Sequence, residues 1–213
     1  MNTQVYTVHI MNSKEKEDTV TLEILQTIEK KEDFTQRHLA NRLDVALGLA
    51  NSYLKRCVNK GLIKIQQAPA NRYLYYLTPK GLSEKSRLTA QYLLTSFDFY
   101  RSAANSLTDI FKECEKNNSK NIIFCGISEL AEIASVRAHE FDVEILGVLD
   151  MYSEKELFLT FPVSKSIENF DEFDFCLITT LENVDDYYDF LNKNVAREKI
   201  VIPSILSVSH KLN

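Results

Sequence analysis

Two groups of residues in this 213-residue chain have types and spacings suited to chemistry. The first lies in a predicted helix near the N-terminal third. At helical spacing Ala50, Leu54, Cys57 and Val58 share one side, while Gly48, Asn51, Ser52, Lys55 and Arg56 project from the other. That second side is small, polar and basic. Small residues admit a close surface, Asn and Ser offer donors and acceptors to base edges, and Lys and Arg attract phosphate. The second group is Gly126, Ser128, Glu129, Asp150 and Thr179, each at the end of a predicted strand or the start of the helix after it. A glycine turn leading into a helix receives anions on its free N–H groups, and an acid after the following strand suits a ribose hydroxyl.

Other chemistry is not indicated. Cys57, Cys114, Cys125 and Cys176 are far apart, with no CxxC pair and no histidine at metal-ligand spacing, so they read as small apolar residues. His9, His38, His139 and His210 are dispersed, and no nucleophile–base order or supported carboxylate pair emerges, so the chain is expected not to be an enzyme. No apolar run approaches the ~20 residues of a membrane span, and the N-terminus lacks a secretion-signal pattern. A cytoplasmic protein without membrane partners is expected.

The elements that must position the first group read as three helices and a hairpin. Leu22, Ile24, Leu25 and Ile28 mark a helix from Thr19; Thr35 caps a second, QRHLANRL; the third ends at Gly61, a residue suited to a left-handed helix stop. LIKIQ and RYLYYLT then flank QAPAN as a hairpin. The net charge of −5 hides an asymmetry: residues 34–87 carry ten basic and two acidic side chains, residues 88–213 eleven and twenty-one. The basic excess therefore coincides with the helix–turn–helix and hairpin, where phosphate attraction is plausible.

LANRLDVALG, LKRCVNKGLIKI and YLYYLTPKGLSEKSRLTAQYL give the stretch Thr35–Leu93 a resemblance to the winged helix of MarR-type regulators, in particular the small ones associated with bacterial exopolysaccharide gene clusters. The resemblance implies double-stranded DNA as partner, the third helix as reader and the hairpin as wing. It nominates Gln36, Arg37, Gly48, Asn51, Ser52, Lys55, Arg56, Lys64, Asn71 and Arg72 as DNA-binding residues. Relatives usually carry Ser where this chain has Ala46 and Lys where it has Leu49, so a weaker N-cap and one fewer groove contact are expected.

After Gly81 the chain runs without Pro or Gly to NNSK, the expected linker. Leu93, Phe97, Tyr100, Ala104, Leu107, Phe111 and Cys114 recur at alternating four- and three-residue steps, a coiled-coil seam of about three heptads. A homodimer interface is favoured over packing within the chain, because a protein reading a two-fold site needs two-fold symmetry.

Beyond residue 121, NIIFCG, EILGVLD, DFCLITT and EKIVIPS alternate with helical stretches, which argues for a parallel sheet with crossover helices. The run from Ile122 to Asp150, with FPVSKSIENFDEFDFCLIT after it, resembles Rossmann-like domains of redox-sensing repressors, CoA-binding domains and sugar-modifying enzymes. That resemblance implies NAD, CoA or a nucleotide sugar as ligand. Ser128 stands where such loops carry their second glycine. The expected whole is an α+β winged helix over 1–84, a connecting dimerisation helix over 85–118 and an α/β parallel-sheet Rossmann-like domain over 119–213. Its expected function is sequence-specific transcriptional regulation, responsive to a small-molecule effector and linked to polysaccharide synthesis. The alternatives are a nucleotide-sugar or NAD-dependent enzyme with an accessory winged helix, and a winged-helix interaction scaffold.

Overall fold

The computed structural model describes residues 13–30, 35–69 and 72–206. In chain order the elements are α1 (Ser13–Glu29), α2 (Gln36–Arg42), α3 (Leu47–Asn59), β1 (Ile63–Ala68), β2 (Arg72–Leu77) and α4 (Pro79–Asn117). There follow β3 (Asn121–Cys125), α5 (Glu129–Ala138), β4 (Glu144–Leu149), β5 (Leu157–Phe158), β6 (Phe161–Ser164), β7 (Phe175–Ile178), α6 (Val184–Asn194) and β8 (Ile200–Val201). Two compact units, Met1–Ser96 and Phe97–Asn213, divide inside α4. The connecting helix expected over 85–118 is thus shared between the units.

In the first unit Leu22, Ile24, Leu25 and Ile28 of α1 are buried with Leu39, Ala40, Ala50, Leu54 and Cys57 of α2 and α3. The helix begins at Ser13, six residues before the apolar pattern, because its first turns are charged and carry no core signal. Glu23 is only 5% exposed within this apolar packing and forms an ion pair with Arg42, joining α1 to α2. Removing one partner of such a pair strands the other's charge, at a cost of about 3 kcal/mol.

Local signals set the ends of the next helices. The Thr35 hydroxyl accepts from the His38 N–H at 3.0 Å, whereas Ala46 offers α3 no side-chain cap, as expected. Gly61, at φ +72°, stops α3: its N–H donates to the Val58 carbonyl at 2.9 Å, and the Leu62 N–H donates to that of Cys57 at 3.0 Å. This bond pair is the Schellman closure. The LTPKG signature is a joint between hairpin and helix. The Thr78 hydroxyl accepts from the Gly81 N–H at 3.0 Å, Pro79 opens α4, and a Cβ on Gly81 would stand 2.0 Å from the Leu62 carbonyl oxygen.

The seam foreseen along α4 divides. Ala104, Leu107, Phe111 and Cys114 are buried in the core of their own second unit, so this half packs within the chain. Leu93, Phe97 and Tyr100 are exposed, at 47%, 54% and 47%. The helix ends abruptly. Asn118, at φ +54°, turns the chain while the Ser119 N–H donates to the Cys114 carbonyl at 3.0 Å, so NNSK is a tight stop into β3 and not a linker.

The second unit holds a six-stranded sheet in the order β5-β6-β4-β3-β7-β8. All its strands run parallel except β5, which pairs antiparallel with β6. All four residues of β7, and Ile122 through Cys125 of β3, are buried, as strands covered on both faces read. The strand order reverses at β3, which gathers the carboxyl ends of β3, β4 and β7, the usual ligand position in such sheets.

Candidate nucleic-acid interface and strand-end cluster

On α3, Ala50, Leu54 and Cys57 are buried, and Gly48, Ser52, Lys55 and Arg56 are exposed. Asn51 is half-buried, and its side-chain oxygen has no hydrogen-bond partner among the described residues. A Cβ on Gly48 would meet nothing within 4 Å, so no packing inside the chain requires glycine there. In a helix that glycine costs about 1 kcal/mol relative to alanine.

Between α3 and the hairpin lies a cleft of about 350 Å³. Leu54, Val58 and Ile65 supply its apolar part, and Gln36, Asn51, Lys55, Asn59 and Tyr75 its polar part. Asn51, Lys55 and Asn59 follow one another at four-residue spacing, a single row along α3 about 12 Å long. The Gln36 side-chain amide donates to the Tyr75 hydroxyl at 3.2 Å, so the start of α2 is tied to the wing. None of the lining residues is acidic. Asn59 and Tyr75 escaped the sequence argument, although the row from Asn51 through Lys55 could have been continued four residues to Asn59.

Two of the nominated cations are placed differently from the rest. Arg56 lies 3.6 Å from Glu17 of α1, with its guanidinium 5.6 Å from the Tyr53 ring centre, and Lys60 also donates to Glu17 at 2.9 Å. The Lys60 ammonium, and Arg56 after it, hold the Glu17 carboxyl below its ordinary range. Arg56 therefore meets α1 at the edge of the polar side of α3. Lys64 pairs with Tyr76 in the hairpin register, next to the Ile65–Tyr75 pair. Successive strand residues point to opposite faces. Lys64 is on the hairpin face opposite the cleft. Gln36 and Arg37 are exposed at the start of α2; Arg72 opens β2 opposite Ala68; Asn71 lies outside the described residues.

The strand-end residues do come together in the second unit, but they are employed by one another. The Asp150 carboxylate accepts from the Ile127 N–H at 2.8 Å through Oδ2, and from the Tyr152 and Ser153 N–H groups at 2.9 and 2.8 Å through Oδ1. The Ser128 hydroxyl donates to the Thr179 carbonyl and accepts from the first N–H groups of α5, while the Thr179 hydroxyl donates to the Gly126 carbonyl at 2.6 Å. Gly126, at φ +97°, packs so closely on the turn after β7 that a Cβ would stand 2.4 Å from that of Thr180. Its glycine is explained by backbone conformation and strand contact. Glu129 and Glu132 place negative charge in the first turn of α5, against an incoming phosphate. Asp150 is buried and its carboxylate holds three backbone N–H groups, so it serves as an anchor for its own loop. Tyr187, missed in the sequence, is buried beside Asp150, and that burial pushes its hydroxyl pKa up.

Residues 17–64 match a family model described as winged helix-turn-helix DNA-binding. No curated protein matches the chain. Among solved structures the chain is similar to a MarR family transcription regulator, at 19% identity over 48% of this chain and 80% of that one, with a TM-score of 0.33. It is also similar to the zinc-responsive MarR family member ZitR of Lactococcus lactis, at 18% identity over 66% and 83% of the two chains, TM-score 0.35. A third similarity, to PigF with SAH, is 12% identical over 90% of this chain and 56% of that one, TM-score 0.24. Superpositions this loose carry no argument about function. The winged helix rests on the family match and on the elements themselves.

Proposed function

We propose that this chain is a cytoplasmic transcriptional regulator that binds double-stranded DNA through α3 and the hairpin and acts as a homodimer, without catalysis. One observation carries the proposal. Inside the stretch matching a winged helix-turn-helix DNA-binding model, the exposed side of α3 is small, polar and basic, with a glycine that no internal contact requires. Membership of the MarR type is supported by the residue resemblance over Thr35–Leu93, and a link to polysaccharide synthesis rests on that resemblance alone. The exposed Leu93, Phe97 and Tyr100 of α4 support the dimer, since a monomer gains nothing by exposing that stripe. Response to a metabolite such as CoA or a nucleotide sugar would belong to the second unit.

The test is duplex binding followed by fluorescence anisotropy across a salt series. Affinity is expected to fall linearly on a double-logarithmic plot, with a slope of about −0.9 per phosphate neutralised. Absence of duplex binding at low salt would overturn the proposal.

A further inference from the structure

The two neighbouring cations on the polar side of α3 have different surroundings. Around Lys55 the residues lining the cleft include no acid. Arg56 instead has the Glu17 carboxylate of α1 3.6 Å away and the Tyr53 ring centre 5.6 Å from its guanidinium, within reach of a cation–π contact. That carboxylate does not owe its place to Arg56. Lys60, one turn further along, donates to its other oxygen at 2.9 Å, and this bond keeps the Glu17 carboxyl below its ordinary range and so charged at neutral pH. A fixed negative charge from one helix thus stands beside an arginine that another helix presents together with Gly48, Ser52 and Lys55.

We propose that Glu17 holds Arg56 back from DNA phosphate and so sets the sequence-independent part of DNA affinity below what the cations of α3 could supply. Glu17 is then a positioning residue, acting on DNA through Arg56. The inference rests on the DNA-binding function above and adds to it a residue of α1. Two features of the geometry carry it. The carboxylate meets two cations of one helix, Arg56 and Lys60, which lie four positions apart and so on the same side, and the pair shares its single negative charge. Arg56 is also in contact with the ring of Tyr53, three residues before it on α3. Leaving for a phosphate would cost the guanidinium both contacts at once. Phosphate attraction is equal for every sequence and shows in the salt dependence, about 0.9 units of slope for each phosphate neutralised, so the hold on Arg56 has a readout of its own.

The full-length protein, a labelled 30-base-pair duplex of arbitrary sequence and a potassium chloride series read by fluorescence anisotropy test it. Glu17→Gln should raise affinity about fivefold at low salt and steepen the salt slope by about one unit. Arg56→Met should change affinity less than about twofold in the wild-type background and abolish the gain in the Glu17→Gln background, a coupling that a double-mutant cycle reads. Glu29→Gln makes the same charge change at the other end of α1, where the partner is Lys85, and should stay within about twofold of the wild type. Exposed ion pairs contribute little to stability, so Glu17→Gln should fold. If thermal melting shows that it does not, Arg56→Met in the wild-type background decides alone. The hold on Arg56 is overturned, with DNA binding left standing, by a Glu17→Gln variant that binds like the wild type or whose gain survives Arg56→Met. The same follows if Glu29→Gln matches that gain, or if Arg56→Met by itself makes the slope shallower by about one unit. A wild-type chain that binds no duplex overturns the hold and the DNA-binding function together.

Discussion

Gly48 sits in the first turn of α3 with open space where its side chain would be. Glycine in a helix costs backbone entropy, and on the proposed function its presence is explained by the close approach of DNA. Gly48→Ala should therefore raise unfolding free energy by about 0.5–1 kcal/mol in denaturant titration while lowering duplex affinity several-fold. Equal affinity would mean that DNA keeps its distance there. Arg56 shows the limit of reading single residues. Its place on the helical wheel beside Ser52 and Lys55 makes it a natural DNA contact, yet its guanidinium also lies 3.6 Å from Glu17 and 5.6 Å from the Tyr53 ring centre. Glu17 belongs to a different helix, and nothing in the spacing of α3 announces it. Asp150 is similar: the sequence places an acid at a strand end, and only the folded loop delivers three N–H groups to it.

The periodicity of α4 is uniform, but its surroundings are not. Steps of four and three residues put Leu93 through Cys114 on one stripe, and they are silent on whether a second chain or the chain's own sheet covers it. The sheet covers Ala104 to Cys114. Leu93, Phe97 and Tyr100 remain exposed, so the proposed dimer seam is confined to the first half of the stripe. Phe97→Glu should therefore raise the dimer dissociation constant about a hundredfold, some 2.7 kcal/mol, in sedimentation equilibrium. A wild-type chain that sediments as a monomer at tens of micromolar would sink this assignment. The hairpin was legible from its Pro–Asn loop and its isoleucine- and tyrosine-rich runs, but its two faces were not told apart. The pleat alone puts Lys64 opposite Ile65; which of them faces α3 depends on how the hairpin docks.

For the molecule as a whole, the charge asymmetry divides roles. On the proposed function, ten basic and two acidic residues over 34–87 would draw phosphate to the winged helix, and twenty-one acids against eleven bases after residue 87 would keep the remainder off it. Any response of the second unit to a metabolite has to show as stabilisation, about 2.7 kcal/mol for a ligand at a hundred times its dissociation constant. With Asp150 buried and anchoring three backbone N–H groups of its own loop, NAD and NADH at millimolar concentration should leave the melting temperature unmoved, which differential scanning fluorimetry reads directly. A rise of several degrees would return the strand ends to ligand binding.

The local rules of helix and strand were enough, from sequence, for the existence and type of almost every element, the capping by Thr35, the stop at Gly61 and the polar side of α3. These depend on residues within a turn or two of each other. Tertiary structure alone decided that Arg56 meets Glu17 while Lys55 lines the cleft beside the hairpin, which half of α4 is buried, and that the strand-end residues hydrogen-bond one another. Each of those outcomes is a competition between partners distant in the chain, and only folding brings the competitors within hydrogen-bonding or packing distance.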